Sequence, residues 1–289
     1  MTTWELPNGY GRLKPDICTY STHILGSKKD EGCRTLSGTS VASPIVAGAI
    51  ALLLSSYKEH KLDNETNMIN PASIKQIIMS SADRIKNANM FEQGFGKLNL
   101  IQAYNTIKKY KPQISLIPSY LDLTECPYFW PYCTQPLYYS AIPVIVNVTI
   151  LNGISVNSRI VDKPKWHPSL AENGHYLRLS FSRSSKLWPW SGYLAIKISV
   201  AEEAKDYDGL VEGEISFTVE TILENNEIVK SQLKLYLKAK IIPKPLRQQR
   251  ILWDQFHNIR YPPGYFPRDD LKMKIYPLDW NADHVGLVF

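Results

Sequence analysis

The chain has 289 residues, 44% apolar and 21% charged, ordinary values for a soluble globular protein of one or two domains with a sizeable core. Its formal net charge of +6 is mild and spread out, and no interleaving of basic and aromatic residues marks a nucleic-acid groove, so no nucleic-acid partner is expected. Met1 to Pro7 has neither a basic start nor an apolar core, and the longest apolar run, Ile45 to Leu54, falls short of the ~20 residues that span a bilayer. Neither a signal peptide nor a transmembrane segment is therefore expected.

Residues 1–35 contain a loop at Gly9-Tyr10-Gly11. Lys14-Pro15-Asp16-Ile17-Cys18-Thr19-Tyr20 reads as a turn feeding a short strand, and Ser21 to Glu31 as a polar loop. Small and hydroxyl residues, Leu36-Ser37-Gly38-Thr39-Ser40-Val41-Ala42-Ser43-Pro44, then lead into the apolar run. A helix is expected from about Ser40 to Tyr57–His60. Pro44 is tolerated in its first turn, where the backbone N–H groups lack helical partners in any case. Being apolar or small on every side, this helix is expected to be buried.

Asn70-Pro71 is a helix start, with Asn as N-cap and Pro at the first helical position, and Ile74, Ile77 and Ile78 supply the i, i+3, i+4 stripe to about Ala82. Phe91 to Asn99 reads as a glycine-punctuated turn. Leu98, Leu100, Ile101, Tyr104 and Ile107 form a further short amphipathic helix.

After Pro112 the apolar period changes from 3.6 to 2. Val144, Val146, Val148 and Ile150 alternate with Asn147 and Thr149, which places Asn147 outward, and Asn152-Gly153 signals a hairpin. Further alternating runs cover 176–182, 193–200, 215–221 and 233–241, and short strands at this spacing predict an antiparallel β-sandwich. The aromatics of Trp188-Pro189-Trp190 are read as core packing and turn cover. From Pro243 no regular period survives. Three parts are expected: 1–112, 113–242, and a linker with the start of a third segment over 243–289.

Four cysteines are present, none in a Cys-x-x-Cys pair, so no metal and no cofactor is expected. Cys126 and Cys133 close a short loop rich in Pro and aromatics, which fits either a disulfide or two buried thiols. N-x-[ST] sequons stand at Asn64 and Asn147 as glycosylation candidates. Arg247-Gln248-Gln249-Arg250 fits either a solvated linker or a processing site.

The chemistry centres on Ser40. A serine hydroxyl is a poor nucleophile at neutral pH without an adjacent base and a group that orients it. A helix N-terminus offers free N–H groups and partial positive charge to an oxyanion. Gly38 permits close backbone approach, Thr39 precedes the nucleophile, and the Ser40 N–H is one oxyanion donor.

Gly38-Thr39-Ser40-Val41-Ala42-Ser43-Pro44 resembles the serine motif of the subtilisin-like proteases. Lys14-Pro15-Asp16-Ile17, Asn70-Pro71 to Ala82, and Gly94-Phe95-Gly96-Lys97-Leu98-Asn99 are similar to that family's neighbouring segments, so the resemblance covers residues 9 to about 110. It implies the C-terminal portion of an α/β subtilisin-like catalytic domain, followed by the β-sandwich. Cys33-Arg34, Leu121 to Pro127, Leu187 to Tyr193, Trp253-Asp254-Gln255 and Tyr261 to Asp269 further resemble the membrane-bound site-1 protease branch. That branch implies a Golgi and ER lumenal enzyme, cleaving membrane-anchored transcription factor precursors after a short motif with a basic residue upstream.

The chain departs from the family pattern. The 39 residues before Ser40 hold neither the Asp-Ser/Thr-Gly nor the His-Gly-Thr motif, and no match to the oxyanion-hole Asn. His23, the single upstream histidine, sits in a polar loop and is read as solvated. The expectation is therefore a partial chain, inactive alone, with the upstream half of the catalytic domain as a partner. Two rivals stand beside it. An α/β-hydrolase would draw its base from His167, His175, His257 or His284 downstream. A non-catalytic interaction or stabilising module would leave the serine region vestigial.

Overall fold

The computed structural model describes residues 5–6, 9–10, 12–60, 69–130, 132–133, 136–223 and 225–246. The first part opens with two antiparallel pairs, β1 (Glu5–Leu6) with β2 (Gly9–Tyr10) and β3 (Ile24–Ser27) with β4 (Cys33–Leu36). Much of the expected polar loop at 21–31 is thus one arm of a hairpin, closed where the Lys28 N–H donates to the Gly32 carbonyl at 3.0 Å. Helices α1 (Thr39–His60), α2 (Pro71–Ser80), α3 (Met90–Gln93) and α4 (Leu100–Ile107) follow.

Asparagine caps three of these helices. The side chains of Asn70 and Asn99 accept from the N–H of Ser73 and Gln102, each at 2.9 Å, and Asn89 forms a reciprocal capping box with Glu92. Each cap satisfies donors that would otherwise lack partners and contributes ~1 kcal/mol.

Leu53 of α1, Ile74, Ile77 and Ile78 of α2, and Ala103 and Ile107 of α4 make one small core. The rest of α1 is not buried, contrary to the expectation of a buried helix. Leu52 is 58% exposed, and only Ala49 and Leu53 are buried among its residues up to Tyr57. Among the described residues, α2 and α4 cover one stripe of α1, whereas its small and apolar residues occupy every side. Thr39–Tyr57 also has a mean hydropathy of 1.7 over 19 residues, long and apolar enough to cross a membrane by length and composition. The expectation of no such segment is corrected on that point: the helix extends beyond the purely apolar run by recruiting Thr, Ser, Gly and Ala, which are neutral enough to qualify. A core helix of a soluble protein has the same composition.

The second part carries two sheets. Its elements are β5 (Ile114–Ile117), β6 (Tyr120–Asp122), α5 (Cys126–Phe129), β7 (Val144–Asn152), β8 (Ser158–Ile160), β9 (Lys165–Pro168), β10 (Leu177–Arg183), β11 (Lys186–Leu187), β12 (Ser191–Val200), β13 (Gly209–Ile222) and β14 (Ile228–Ile241). One sheet has the order β10-β12-β7-β5. The other has the order β11-β8-β13-β14-β6, with β9 also paired to β13. All five strands read from period-2 alternation are present.

The pairing is not wholly antiparallel as expected. β6 runs parallel to β14, matching Leu121 with Leu237. Three residues of Tyr-Leu-Asp are too short to show a period, so this edge strand left no sequence signal. Alternate residues of both sheets, among them Val146, Val148, Ile196, Phe217, Leu235 and Leu237, enter one hydrophobic cluster. Full burial of each such side chain contributes ~1.5–3 kcal/mol.

Asn152-Gly153 does not make a hairpin. β7 and β8 lie in different sheets, and Gly153 is not among the residues with positive φ. The fully buried Asn152 turns the chain with its side chain, accepting from the Ile154 N–H at 3.0 Å and donating to Ser158 Oγ at 3.1 Å. Glycine serves close approach instead: a Cβ at 153 would stand 2.5 Å from both Gln76 Oε1 and the Tyr110 hydroxyl.

Asn147 lies in β7 on the opposite face from Val146 and Val148, as alternation requires. That face is covered too, and Asn147 is buried rather than outward. In the aromatic turn, Trp190 packs on the core while Trp188 is 66% exposed, so core packing holds for one tryptophan and not the other.

Candidate functional site

Ser40 stands in the first turn of α1. The Gly38 N–H donates to the Ser21 carbonyl at 2.7 Å, and the His23 N–H donates to Ser37 Oγ at 2.9 Å. These bonds tie the residues before the serine to the loop that precedes β3. Gly38 has φ 142°, a conformation that disfavours any residue with a Cβ, and its carbonyl accepts from the Val41 N–H at 3.0 Å and the Ala42 N–H at 3.3 Å. The turn from Gly38 through Thr39 therefore delivers Ser40 to the helix start. There the first N–H groups have no carbonyl four residues behind them, and the helix carries roughly +0.5 of a charge. Ser40 is exposed.

Two other segments singled out in the sequence meet each other. The Phe95 N–H donates to the Asp16 carbonyl at 3.0 Å, the Cys18 N–H to the Gly96 carbonyl at 2.9 Å, and the Leu98 N–H to the Cys18 carbonyl at 2.8 Å. Gly94, at φ 61°, lies so close to the Pro15 and Asp16 carbonyls that a Cβ would collide with both. The Asp16 carboxylate accepts from Lys14 Nζ at 2.6 Å and Lys75 Nζ at 2.9 Å. Burial alone would raise its pKa; the hydrogen bonds from the two lysines outweigh it and hold the carboxyl below its ordinary value.

No described histidine hydrogen-bonds Ser40. The His23 backbone is near the serine turn through Ser37, but its exposed side chain makes no hydrogen bond to Ser40. His167 pairs with Ser216 Oγ at 2.8 Å across β9 and β13, and His175 packs edge-on against Tyr176. Both belong to the sheet region, so neither supplies the downstream base that an α/β-hydrolase requires. His257, His284, Asn64 and the Arg247–Arg250 stretch lie outside the described residues. No cluster of metal-ligating side chains occurs among the described residues. Cys126 and Cys133 come together: both Sγ atoms lie within hydrogen-bonding distance of the Leu123 carbonyl, at 3.1 and 3.3 Å, and both are free thiols here.

Two polar clusters that the sequence pattern did not reveal join the helices to the sheets. Gln76 Nε2 donates to the Gln113 carbonyl at 3.0 Å, Ser115 Oγ at 2.9 Å and the Leu151 carbonyl at 3.0 Å, while its Oε1 accepts from the Tyr110 hydroxyl. Asn70 Nδ2 and Ser73 Oγ donate to the Gly153 carbonyl at 2.9 and 3.1 Å. On the other flank, Arg84 pairs with Glu125 and lies 3.5 Å over the Tyr128 ring. Tyr120 donates to Glu125 at 3.1 Å, and burial together with that carboxylate pushes its hydroxyl up to about 12. A glutamine on an otherwise apolar helix stripe was the one available sequence signal for the first cluster.

A serine on a Gly-Thr turn at the start of a long helix, in a chain whose Lys-Pro-Asp turn is bonded to its Gly-Phe-Gly turn, resembles the arrangement of the subtilisin-like proteases. Residues 3–96 match the Subtilase family. Residues 117–244 match the family described as MBTPS1, third Ig-like domain, and residues 245–289 match MBTPS1, fourth GATase-like domain.

Over its whole length the chain is 59% identical to the membrane-bound transcription factor site-1 protease of Rattus norvegicus and 58% identical to that of Homo sapiens. It is 47% identical, again over its whole length, to the subtilisin-like protease SBT6.1 of Arabidopsis thaliana. The chain spans about a quarter of the length of these relatives, 27% of the two mammalian proteins and 28% of the plant one.

Proposed function

We propose that Ser40 is the nucleophile of a subtilisin-like serine endopeptidase whose base, orienting carboxylate and oxyanion-hole Asn come from outside these 289 residues. The observation that carries this reading is the Gly38–Ser40 turn, anchored to Ser21 and opening a 22-residue helix. In that role Ser40 Oγ attacks the scissile carbonyl after the external histidine takes its proton, and its N–H at the helix start donates to the oxyanion. The three-part division at 112 and 242 fits the spans of the family matches, and the two sheets feeding one core favour a β-sandwich for 113–242. The relatives' names, membrane-bound transcription factor site-1 protease, support membrane-anchored transcription factor precursors as substrates, and the reading takes a Golgi and ER lumenal setting with them. On this reading the chain alone is inactive.

Fluorophosphonate labelling tests the proposal. The 289-residue chain alone should label negligibly, because losing the base of a triad costs about 10⁴–10⁶-fold. Coexpressed with a segment bearing the Asp-Ser/Thr-Gly and His-Gly-Thr motifs, it should label at Ser40, and Ser40→Ala should abolish that labelling. Enzyme-like labelling of the chain alone would overturn the external base. Undiminished labelling of Ser40→Ala in the reconstituted protein would overturn the nucleophile. Failure of the reconstituted protein to cleave a membrane-anchored precursor, while it cleaves short peptides, would remove the substrate assignment and leave the chemistry standing.

A further inference from the structure

The loop around α5 reaches in two directions. At its start, Leu123 is tied to the sheet, donating its N–H to the Lys238 carbonyl at 2.8 Å. Farther along, the Tyr128 hydroxyl donates to the Gly94 carbonyl at 3.4 Å, and the Tyr132 ring meets Phe91 edge-on at 5.0 Å. Cys126 and Cys133 bracket this reach. Their sulfurs share the Leu123 carbonyl and both line a cavity of about 360 Å³ between the loop, Leu137 and Lys240.

We infer that Cys126 and Cys133 form an intrachain disulfide, and that this bond staples the loop joining the helical region to the sheets. Two thiols directed at one carbonyl are already neighbours, and a short closed loop limits how far the unpaired sulfurs can separate. Burial and the adjacent Cys126 sulfur push the Cys133 thiol up, and the exchange is written with Cys126 attacking first. Its thiolate attacks glutathione disulfide and releases one glutathione thiol. The Cys133 thiolate then displaces the second glutathione from the mixed disulfide. Two S–H protons are lost, one S–S bond forms within the chain, and the oxidant leaves as two reduced thiols. Cys33 is exposed on β4 and Cys18 is bonded into the Gly96 turn, so neither competes for this partner.

The test is mass mapping of the wild-type chain incubated with glutathione disulfide, alkylated under denaturing conditions and digested without reduction. The expected product is a peptide spanning 126–133 about 2 Da lighter than its reduced form, with Cys18 and Cys33 alkylated. Reduction should restore two alkylation sites there and speed limited proteolysis within 120–137 severalfold, with little change in cleavage within β13 and β14. Full alkylation of Cys126 and Cys133 after oxidation, or their pairing with Cys18 or Cys33, would overturn the assignment. An intact disulfide whose reduction leaves proteolysis unchanged would overturn the stapling role. Cys126→Ser and Cys133→Ser, made separately, should each leave the remaining thiol alkylated, and wild-type mapping decides the bond even where a variant folds poorly.

Discussion

The helical region and the sheet region of this chain satisfy their apolar residues differently. In 113–242 the buried side of each long strand finds partners within the chain: Val146, Ile196, Phe217, Leu235 and Leu237 are at most 1% exposed. In 12–110 the long helix α1 is covered along one stripe, and Leu52, one residue from the buried Leu53, is 58% exposed. Strand alternation needs one covered face, which two sheets can supply. A helix that is apolar or small on every side needs neighbours all round. The contrast separates a region that closes on itself from one whose central helix offers surface to something further.

Several substitutions would break or sharpen that contrast. The largest stability effect is expected at Phe217→Ala, where loss of a fully buried ring should cost about 3–5 kcal/mol in urea unfolding. A cost below about 1 kcal/mol would mean that the sheet core is looser than its burial implies. Gln76→Ala strips several partners from the junction between the two regions and should cost about 1–3 kcal/mol. Its unfolding should also split into two transitions if Gln76 couples the regions. A single unchanged transition would show that the remaining contacts, Asn70 and Ser73 with Gly153 and the Arg84–Glu125 flank, hold them together.

Acid should act on the helical region through Asp16. Asp16 is held below its ordinary value of 3.8, so its contribution is fully present above that pH and is lost as pH falls through the lower folded value. Asp16→Asn should flatten that part of the stability profile below pH 3.8, read by urea midpoints at each pH. The smallest effect is expected at Leu52→Ala, within about 0.5 kcal/mol in this chain. A cost above 1 kcal/mol would place a partner on α1 and erase the difference between the regions.

Much of this was legible in the residues. The N-cap Asn70, the helix from Thr39, and the five alternating strands all come from local rules, and local rules survive folding. What stayed hidden depends on contacts distant in sequence. The parallel β6 strand exists because Leu121 meets Leu237, 116 positions on. Asn152-Gly153 carries the hairpin signature, yet its glycine answers to Gln76 and Tyr110, which no window around 153 contains. The exposure of α1 was hidden for the opposite reason: composition reports what a helix can bury, not what stands beside it. The turn from Gly38 to the start of α1 was readable because its residues are contiguous, whereas the clamp of Arg84, Glu125 and Tyr128 is spread over 45 positions.

The parallel pairing of β6 with β14 also sets how the sheet region bears load. Residues before β6 lead back through β5 to α4, and residues just after β14 lead on from Ile241, so once β5 is freed from β7, tension along the chain pulls β6 and β14 in opposite directions. The bonds between them, with those of Leu123 to Lys238 and Ile242 to Leu137, are then strained together in shear rather than peeled one at a time. The long β13–β14 ladder can be unzipped only from its Gly209–Ile241 end, behind that shear contact. A three-residue strand thus acts as the mechanical latch of the region.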